Sequence, residues 1–355
     1  MESGITRFDY KDVLQFVNDA LRAAGIRDDV ADLTAEGLIQ ASIRGVDSHG
    51  IRLLPHYLNA VEAGRINPDP HYRFKQTSPS TGTFDADHTF GHAAGIEAMR
   101  EAIELAREAG TGHVAVYNST HCGACAYFAL EAAKKGFVGF SFTHANSLLN
   151  TPGSTRPFFG INPICMAVPC EGEEPFCFDS APAAITWNKV IQLREDNLEC
   201  PPFCGADEKG NETKNPHEIT QLLPIGGYKG FGLSMMVEIL CGLFTGMPVG
   251  RDISNMYEAP LSERRYLGQF YSAIRIEVFQ DIDYFKRRMK KMMDDVRNEP
   301  RKDPGKPIMI PGDPEKIATA DRLQHGIPIK EKDLRAFESI AKRYQIDFMK
   351  ALSTF

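Results

Sequence analysis

Apolar residues recur at helical spacing along the first sixty residues of the chain. The apolar positions of the first repeat are Val13, Phe16, Val17 and Leu21. Because they recur every three or four positions, they predict an amphipathic helix that Gly25 would end. Two further helices are predicted at residues 29–42 and 53–62. The N-terminal part of the chain is therefore expected to be helical.

After about residue 80, short apolar runs alternate with longer helical stretches. The runs that predict buried strands lie at residues 113–117, 138–143, 164–168, 176–178 and 272–279. The stretches that predict helices lie at residues 92–109, 127–135, 229–246, 286–297 and 334–344. Residues 191–218 are rich in Pro, Gly, Asn, Asp and Glu, which predicts an excursion of loops. Strands that alternate with helices favour an α/β sheet covered on at least one face.

Composition and charge narrow the class of protein. The 355 residues are 43% hydrophobic and 25% charged, as in ordinary globular proteins, and the length favours two subdomains or one large α/β domain with a helical addition. The chain has 40 Lys and Arg against 47 Asp and Glu, a net charge of −7. Since a sequence-independent nucleic-acid binder needs a basic surface, this balance argues against a nucleic-acid partner.

The sequence predicts neither a membrane span nor a secretory signal. Its most apolar stretch, residues 231–244, contains Glu238 and is shorter than the roughly 20 residues that cross a bilayer. The N-terminus lacks a basic segment followed by an apolar core. Eight cysteines without such a signal indicate reduced thiols. We therefore expect a cytoplasmic protein with no membrane partner.

Ser48, His49 and Arg52 bring a hydroxyl, an imidazole and a guanidinium together beside Gly50. Imidazole suits proton transfer near neutral pH, and the planar guanidinium suits a substrate carboxylate. The alternative interpretation is a helix start, with Ser48 as its N-cap and the two basic side chains solvated.

His121 is a second candidate for acid–base chemistry. It follows a predicted strand and precedes a predicted helix, and ligands of open α/β sheets collect at such strand ends. Asp179 and Ser180 end another predicted strand in the same way, where an aspartate could orient a histidine. The alternatives are a histidine bonded within a turn and a solvated aspartate.

Two pairs of cysteines have spacings found in metal and redox sites. They are Cys122 with Cys125 and Cys200 with Cys204. A structural zinc site needs four ligands brought together, and the order of elements does not match a thioredoxin-like redox fold. We therefore interpret the pairs as ordinary buried or loop thiols and predict no metal site.

The glycine-rich segment 226–232 contains Lys229 and leads directly into an apolar helix. Glycines let the backbone approach a ligand, and the start of a helix beside a lysine attracts phosphate. The spacing matches neither a Walker A loop nor the dinucleotide fingerprint. A flexible helix entry is the alternative.

Several segments carry a pattern that is more specific than any one of them alone. They are residues 47–52 (DSHGIR) with Tyr57, 119–124 (STHCGA), 160–164 (GINPI), 224–233 (PIGGYKGFGL), and 311–312 (PG) before 326–328 (GIP). In this order they resemble the second type of malate/L-lactate dehydrogenase family, over nearly the whole chain. That non-Rossmann group includes sulfolactate and ureidoglycolate dehydrogenases, diketogulonate reductases and cyclic-imine reductases.

The resemblance implies a non-Rossmann, mixed-sheet α/β fold that binds a nicotinamide cofactor, NAD or NADP. It implies a helical region built from residues 1–78 and 282–355, which would contact the substrate and a partner subunit. Residues 79–281 would form the α/β cofactor-binding domain. Members of the family are typically homodimers, so a homodimer is expected here.

The resemblance also assigns roles residue by residue. It places the catalytic acid or base at His49 or His121, with Asp179 beside them, and substrate contacts at Ser48, Arg52 and Tyr57. The implied cofactor contacts are Asn146, Asn162, Asp179, Ser180, Ala181, Lys229, Gly230, Pro311, Gly312 and Asp313. The chain departs from many members at residues 179–183, which read DSAPA instead of DMATS, and at 160–163, which read GINP instead of GTNP. The lost hydroxyls put the details of cofactor hydrogen bonding in question.

These features predict an oxidoreductase that interconverts a small 2-oxo acid and its 2-hydroxy acid with NAD(P)H, with malate as the first candidate substrate. Alternatives on the same fold are lactate, sulfolactate or ureidoglycolate dehydrogenase and cyclic-imine reductase. From other classes, the alternatives are a zinc hydrolase built on His49, His121 and the cysteines, and a binding protein without turnover.

Overall fold

The computed structural model describes residues 4–348. Its helices are α1 (Tyr10–Ala23), α2 (Asp28–Ile43), α3 (Leu54–Glu62), α4 (Gly91–Ala109), α5 (Ala126–Lys134), α6 (Trp187–Glu195), α7 (Tyr228–Glu238), α8 (Ile282–Arg297), α9 (Asp313–His325) and α10 (Glu331–Tyr344). Its strands are β1 (Ile5–Phe8), β2 (Arg73–Ser78), β3 (Thr81–Asp85), β4 (Thr111–Ser119), β5 (Phe137–Thr143), β6 (Leu149–Asn150), β7 (Pro157–Phe159), β8 (Ile164–Val168), β9 (Phe176–Ser180), β10 (Gly205–Ala206), β11 (Gln221–Leu222), β12 (Leu267–Arg275) and β13 (Ile327–Lys330).

The largest sheet has seven strands in the order β2-β3-β4-β12-β5-β8-β9. Strands β3 and β4 run parallel, and the other neighbouring pairs of this sheet are antiparallel. A Rossmann sheet consists mostly of parallel strands. The predicted mixed-sheet, non-Rossmann α/β fold is therefore confirmed.

Helices α4 and α5 pack closely on one face of this sheet. A Cβ atom added at Gly112 on β4 would lie 1.9 Å from the carbonyl oxygen of Ala102 on α4. One added at Gly139 on β5 would lie 2.5 Å from the carbonyl oxygen of Ala129 on α5. Glycine is required at both positions because the helix backbones leave no room for a side chain.

The N-terminal and C-terminal segments share a second core. Helices α1, α2, α3 and α10 bury apolar side chains against one another, and β1 pairs with β13 beside them. Helix α1 forms as the apolar spacing predicts, and Asp9 caps it by accepting a hydrogen bond from the Lys11 N–H (2.8 Å). Both ends of the chain thus build one helical unit.

Two elements lie outside this helical unit although the sequence-based domain boundaries place them in it. Strand β2 pairs with β3 in the large sheet. Helix α8 buries Met289 and Met293 against Val168 at the end of β8. The large sheet therefore draws packing partners from both segments that were expected to form the helical region.

Three local predictions differ from the structure. The predicted loop excursion begins inside α6, because Val190 and Leu193 are buried in a small core of their own with Ile219 and Leu222. Helix α9 is not predicted, since it buries little apolar surface. Strand β12 covers Leu267–Arg275, so the predicted strand at 272–279 begins five residues too late.

No described helix is both long and apolar enough to cross a membrane.

Candidate active site

The imidazole cluster forms where the helical unit meets the end of β4. His121 lies in the loop after β4, and it faces Tyr57 on α3 and His49 in a short 3₁₀ turn (Asp47–His49). The two candidate histidines, 72 positions apart in the chain, therefore lie side by side.

The turn that carries His49 closes tightly on α2. The backbone N–H of Ile51 donates to the Ser42 hydroxyl (3.0 Å). A Cβ atom added at Gly50 would lie 2.2 Å from the same hydroxyl oxygen. Gly50 is thus needed for the close approach that brings His49 to the site.

Hydrogen bonds and ring stacking fix the orientation of the two imidazoles. The hydroxyl of Tyr57 and Nδ1 of His121 are 2.6 Å apart. The His49 ring stacks on the His121 ring at a centroid distance of 5.6 Å, and the Ser48 hydroxyl lies 2.8 Å from Nδ1 of His49. Ser48 and Tyr57, predicted to contact substrate, thus each hold one of the histidines.

Both imidazoles are neutral at physiological pH. Desolvation lowers the pKa of His121 well below its usual value, and the neighbouring His49, His92 and Arg265 lower it further. Desolvation also lowers the pKa of His49 to about 4, with a smaller contribution from Arg52. A neutral His121 can accept a proton at pH 7. The imidazolium that forms is stable only with a bound anion nearby.

His92 is a third imidazole behind this pair. It is 1% exposed, and neither of its ring nitrogens has a hydrogen-bond partner. Its ring meets the ring of Tyr57 at a centroid distance of 5.5 Å, and a Cβ atom at Gly123 would lie 2.3 Å from its Nε2. Desolvation lowers the pKa of His92 to about 3, so this imidazole is a neutral packing residue.

Arg265 brings a buried positive charge to the site. It is 4% exposed and donates to the Ser254 carbonyl (2.9 Å) and to Oδ1 of Asn146 (3.0 Å). Among the carboxylates of residues 4–348, none forms an ion pair with it. Desolvation lowers the pKa of Arg265 to about 10, and repulsion from Arg65 adds to this. An uncompensated guanidinium of this kind is suited to bind an anion.

A small cavity lies between Tyr57, His121 and Arg265. Its volume is about 10 Å³, room for roughly one water molecule. The residues that line it are His56, Tyr57, Ala60, Arg65, Ile66, Thr120, His121, Met256 and Arg265. A separate, wider cleft of about 420 Å³ is lined in part by Trp187, Arg194 and Glu258. None of the residues that line the small cavity lines this cleft.

Asn162 connects the cavity wall to the glycine-rich turn. Its Oδ1 accepts from the Ala145 N–H (3.0 Å), and its Nδ2 donates to the Ser234 carbonyl (3.0 Å) and to Glu238 (2.7 Å). Asn162 is 0% exposed, and the cofactor contact expected of it stays a prediction. It acts as a buried link between α7 and residues 145–146. Asn146, the second of these two residues, is the hydrogen-bond partner of Arg265.

The glycine-rich turn has the properties expected of a phosphate site. Gly226 and Gly227 have φ values of 61° and 63°, which favour glycine. Lys229 is exposed at the start of α7 and forms no ion pair with any residue between 4 and 348. Gly230 lets the turn tighten, because a Cβ atom there would lie 2.4 Å from the Ile225 carbonyl oxygen. The charge of Lys229 and the close approach that the glycines allow fit a dinucleotide cofactor.

Backbone pairing brings a second predicted cofactor segment beside this turn. The N–H of Ile225 donates to the Pro182 carbonyl (3.0 Å), and the N–H of Ala184 donates to the Leu223 carbonyl (2.9 Å). Ser180 and Ala181 are therefore held next to the turn that carries Lys229. Pro311 and Gly312 also approach β9, since a Cβ atom at Gly312 would lie 3.1 Å from the Cys177 carbonyl oxygen.

Two aspartates predicted to belong to the site have partners within the protein. Asp179 accepts a hydrogen bond from the Ala126 N–H (2.7 Å) at the start of α5, and the bonds of His49 and His121 go to Ser48 and Tyr57. In this structure its carboxylate therefore caps a helix and bonds neither histidine. The carboxylate of Asp313 is held by Arg297 (2.5 Å) and the Ile310 N–H (3.1 Å). The cofactor contacts expected of both aspartates stay predictions.

The structure adds site residues that sequence reasoning missed. Arg265 follows Glu263 and Arg264, and such a run of charges usually lies on the surface. Glu238 is a lone acid in an apolar helix, a sign of a buried polar partner that could have been noticed. His56 and His92 carry no local motif, so only tertiary packing shows that they belong to the cluster.

The geometry gives no support to a zinc centre. Between residues 4 and 348, no group of three or more His, Cys, Asp and Glu side chains is placed to hold a metal ion. All four cysteines of the two predicted pairs are free and buried.

Comparison with known proteins gives the class to which this site belongs. Residues 8–338 match the model of the malate/L-lactate dehydrogenase family. Malate dehydrogenase of Pyrococcus abyssi is 33% identical over 97% of this chain and 96% of its own. NAD(+)-dependent ureidoglycolate dehydrogenase of Escherichia coli is 32% identical over 89% and 90%. The structure of sulfolactate dehydrogenase from Methanocaldococcus jannaschii superposes with a TM-score of 0.91 at 28% identity, over 97% and 99% of the two chains.

The fold and the matched length define a dehydrogenase of 2-hydroxy acids. The chain belongs to the malate/L-lactate dehydrogenase family. The resemblance drawn from its sequence segments is therefore confirmed.

Burial of His92 predicts a loss of stability in mild acid. Its pKa in the folded protein, about 3, lies below the unfolded value near 6.5, so only the unfolded chain takes up a proton between these values. The free energy of unfolding should therefore fall as the pH drops from 7.5 to 5.5. In His92→Leu this fall should be smaller by about 1.4 kcal/mol, as measured by urea unfolding at both pH values.

The exposed His71 supplies a control for this measurement. His71→Leu should keep the pH dependence of the unmodified protein. An unchanged pH dependence in His92→Leu would contradict the assignment of a neutral, desolvated His92.

Proposed function

We propose that this protein is an NAD(P)-dependent oxidoreductase that interconverts a small 2-oxo acid and its 2-hydroxy acid. The observation that carries the proposal is the position of His121, tied to Tyr57 and lining one cavity with the unpaired Arg265. A proton-exchanging group and an anion-binding group that share a cavity match the two ends of a 2-hydroxy acid.

Chain segments on the glycine-rich side of the molecule would hold the cofactor. Lys229, at the start of α7, would bind its phosphates, the glycine-rich turn would let them approach closely, and Ser180 and Ala181 lie beside this turn. Asn146, Pro311 and Gly312 are further contacts proposed from the family resemblance. When bound, a nicotinamide dinucleotide supplies the hydride that reduces the carbonyl carbon.

His121 would move the proton that accompanies this reduction. If Nδ1–H of His121 donates to the Tyr57 oxygen, Nε2 is free to exchange a proton with the substrate oxygen. In oxidation the neutral imidazole accepts the hydroxyl proton, and in reduction the imidazolium returns it. A carboxylate bound at Arg265 would raise the pKa of His121 and so favour the imidazolium.

Arg265 would bind the substrate carboxylate. Its partners are a carbonyl and an amide oxygen, both neutral, so a carboxylate can pair with the charge without displacing an acid. His49 would serve as a wall that keeps the His121 ring in place by stacking. This division of roles makes His121 the proton donor and His49 its support.

Arg52 favours a substrate with a second negative group. It is exposed, and its charge adds to the desolvation that lowers the pKa of His49 and opposes the desolvation that raises the pKa of Tyr257, so it lies within electrostatic reach of the cluster. Malate and oxaloacetate carry a second carboxylate, and sulfolactate carries a sulfonate in its place. We therefore propose malate as the substrate and sulfolactate as the second candidate.

A spectrophotometric screen with NADH and NADPH tests the reaction and the substrate. Oxaloacetate should be reduced faster than pyruvate, because Arg52 is available for the second carboxylate. Sulfopyruvate and piperideine-2-carboxylate in the same screen distinguish the other activities of the family. Absence of turnover with every compound and both cofactors would contradict the proposal.

Removing the proton-transferring group should abolish most of the turnover. His121→Asn is expected to lower kcat by about 100-fold or more, the usual contribution of general acid–base catalysis. Tyr57→Phe should lower kcat by on the order of tenfold to 100-fold, because the His121 ring loses its fixed orientation. Both are measured as initial rates at saturating cofactor.

Tyr344→Phe is the matched control, since its hydroxyl bonds Glu62 (2.6 Å) away from the cavity. It should retain full activity. Equal rates for Tyr57→Phe and Tyr344→Phe would show that the Tyr57–His121 bond plays no part in the reaction.

We also propose that the protein is a homodimer. Helix α7 and the π-helical turn after it (Ile239–Leu243) leave large apolar side chains open to solvent: Leu233 is 41% exposed, Met236 58%, Leu243 63% and Phe244 62%. Contiguous apolar surface of this kind marks an interaction site, and a second copy is the partner that the family resemblance implies. Light scattering should give the mass of two chains, and Phe244→Glu should shift it toward one. A monomeric mass for the unmodified protein would overturn this proposal.

A further inference from the structure

The cavity beside His121 is too small for the substrate proposed above. Its volume of about 10 Å³ holds roughly one water molecule, and a 2-oxo acid is several times larger. One wall of the cavity must therefore move when substrate binds. This inference rests on the proposed function, because it takes the cavity to be the substrate site.

The walls differ in how they are anchored. Tyr57 and Ala60 belong to α3, which is packed in the helical core, and Thr120 and His121 follow directly on β4. Met256 and Arg265 instead belong to residues 253–266, which contain neither helix nor strand. We call residues 253–266 the substrate loop. Because this loop contains neither helix nor strand, it can move without disrupting either.

One buried side chain holds the substrate loop in its closed position. The guanidinium of Arg65 is 1% exposed and donates to four backbone carbonyls of this loop. The acceptors are Met256 (2.8 Å), Ala259 (2.9 Å), Pro260 (2.8 Å) and Glu263 (3.0 Å). Because the four carbonyls span eight residues, a single planar group sets the path of most of the loop.

These contacts involve no carboxylate. No ion pair within residues 4–348 includes Arg65, so the loop is held by neutral acceptors. Arg265, on the same loop, faces the same cavity, and two guanidinium groups without a counter-ion repel each other. An anion between them would remove this repulsion and favour the closed loop.

We infer that Arg65 is a positioning residue, which closes the substrate loop over a bound 2-oxo acid and thereby places Arg265 on its carboxylate. The loop opens to admit the substrate and closes when the anion pairs with Arg265. Arg65 bonds the backbone of the loop in the closed state and does not touch the reacting atoms.

Arg65→Lys tests this role, because lysine keeps the charge and loses the planar set of donors. The variant should show at least about tenfold faster amide hydrogen exchange at residues 254–263, with the rest of the chain unchanged. The KM for the 2-oxo acid should rise by about tenfold, while the KM for the reduced cofactor and the pH dependence of kcat stay the same.

Arg275→Lys is the matched control. The guanidinium of Arg275 also donates to a backbone carbonyl, that of Arg107, but it lies at the end of β12 that is remote from the substrate loop and does not line the cavity. This variant should leave exchange at 254–263 and the KM unchanged. Unaltered exchange at 254–263 in Arg65→Lys, or equal effects of the two variants, would overturn the inference.

The unmodified protein offers a second measurement if Arg65→Lys does not fold. Trp187, the single tryptophan of the chain, lines one cleft with Glu258 of the substrate loop, so its fluorescence reports loop movement. Adding the 2-oxo acid in the presence of oxidised cofactor, where no hydride is available, should change this fluorescence to saturation. Saturable turnover with no fluorescence change would contradict loop closure. Absence of turnover would contradict the proposed function, and a saturable fluorescence change would in that case still support closure of the loop over the 2-oxo acid.

Discussion

The hydrogen bond between Tyr57 and His121 joins the two parts of this molecule at the point where the proposed chemistry takes place. Tyr57 belongs to the helical core built from both chain ends, and His121 belongs to the sheet domain. Neither part contains a complete site. The orientation of His121 therefore depends on the packing of one core against the other, and any substitution that shifts α3 also shifts the imidazole.

The electrostatics of the site follow from burial. Desolvation keeps His49, His92 and His121 neutral, while Arg265 keeps its charge and has only neutral partners. The site thus holds an uncompensated positive charge beside an imidazole that is ready to accept a proton. A 2-hydroxy acid supplies both missing groups, an anion for the guanidinium and a proton for the imidazole.

The sequence was sufficient to predict the fold class and the main helices, because their apolar periodicity is strong and the family segments occur in order. The sequence also predicted that one site contains His49, His121, Ser48 and Tyr57. Arg265 and His92 could not be predicted, since their role depends on burial, and a charged run or a helix start looks the same whether it is buried or solvated. The roles expected of Asp179, Asn162 and Asp313 stay predictions for a related reason: a motif position identifies a residue, but only the three-dimensional contacts show that its polar atoms already have partners within the protein.

The most direct test of this account is a crystal structure of the protein with oxidised cofactor and oxaloacetate. The account predicts a substrate carboxylate within hydrogen-bonding distance of the Arg265 guanidinium and the 2-oxo oxygen within hydrogen-bonding distance of Nε2 of His121, with the Tyr57–His121 bond intact. Oxaloacetate bound away from both residues, or a His121 ring turned away from Tyr57 in the complex, would contradict it.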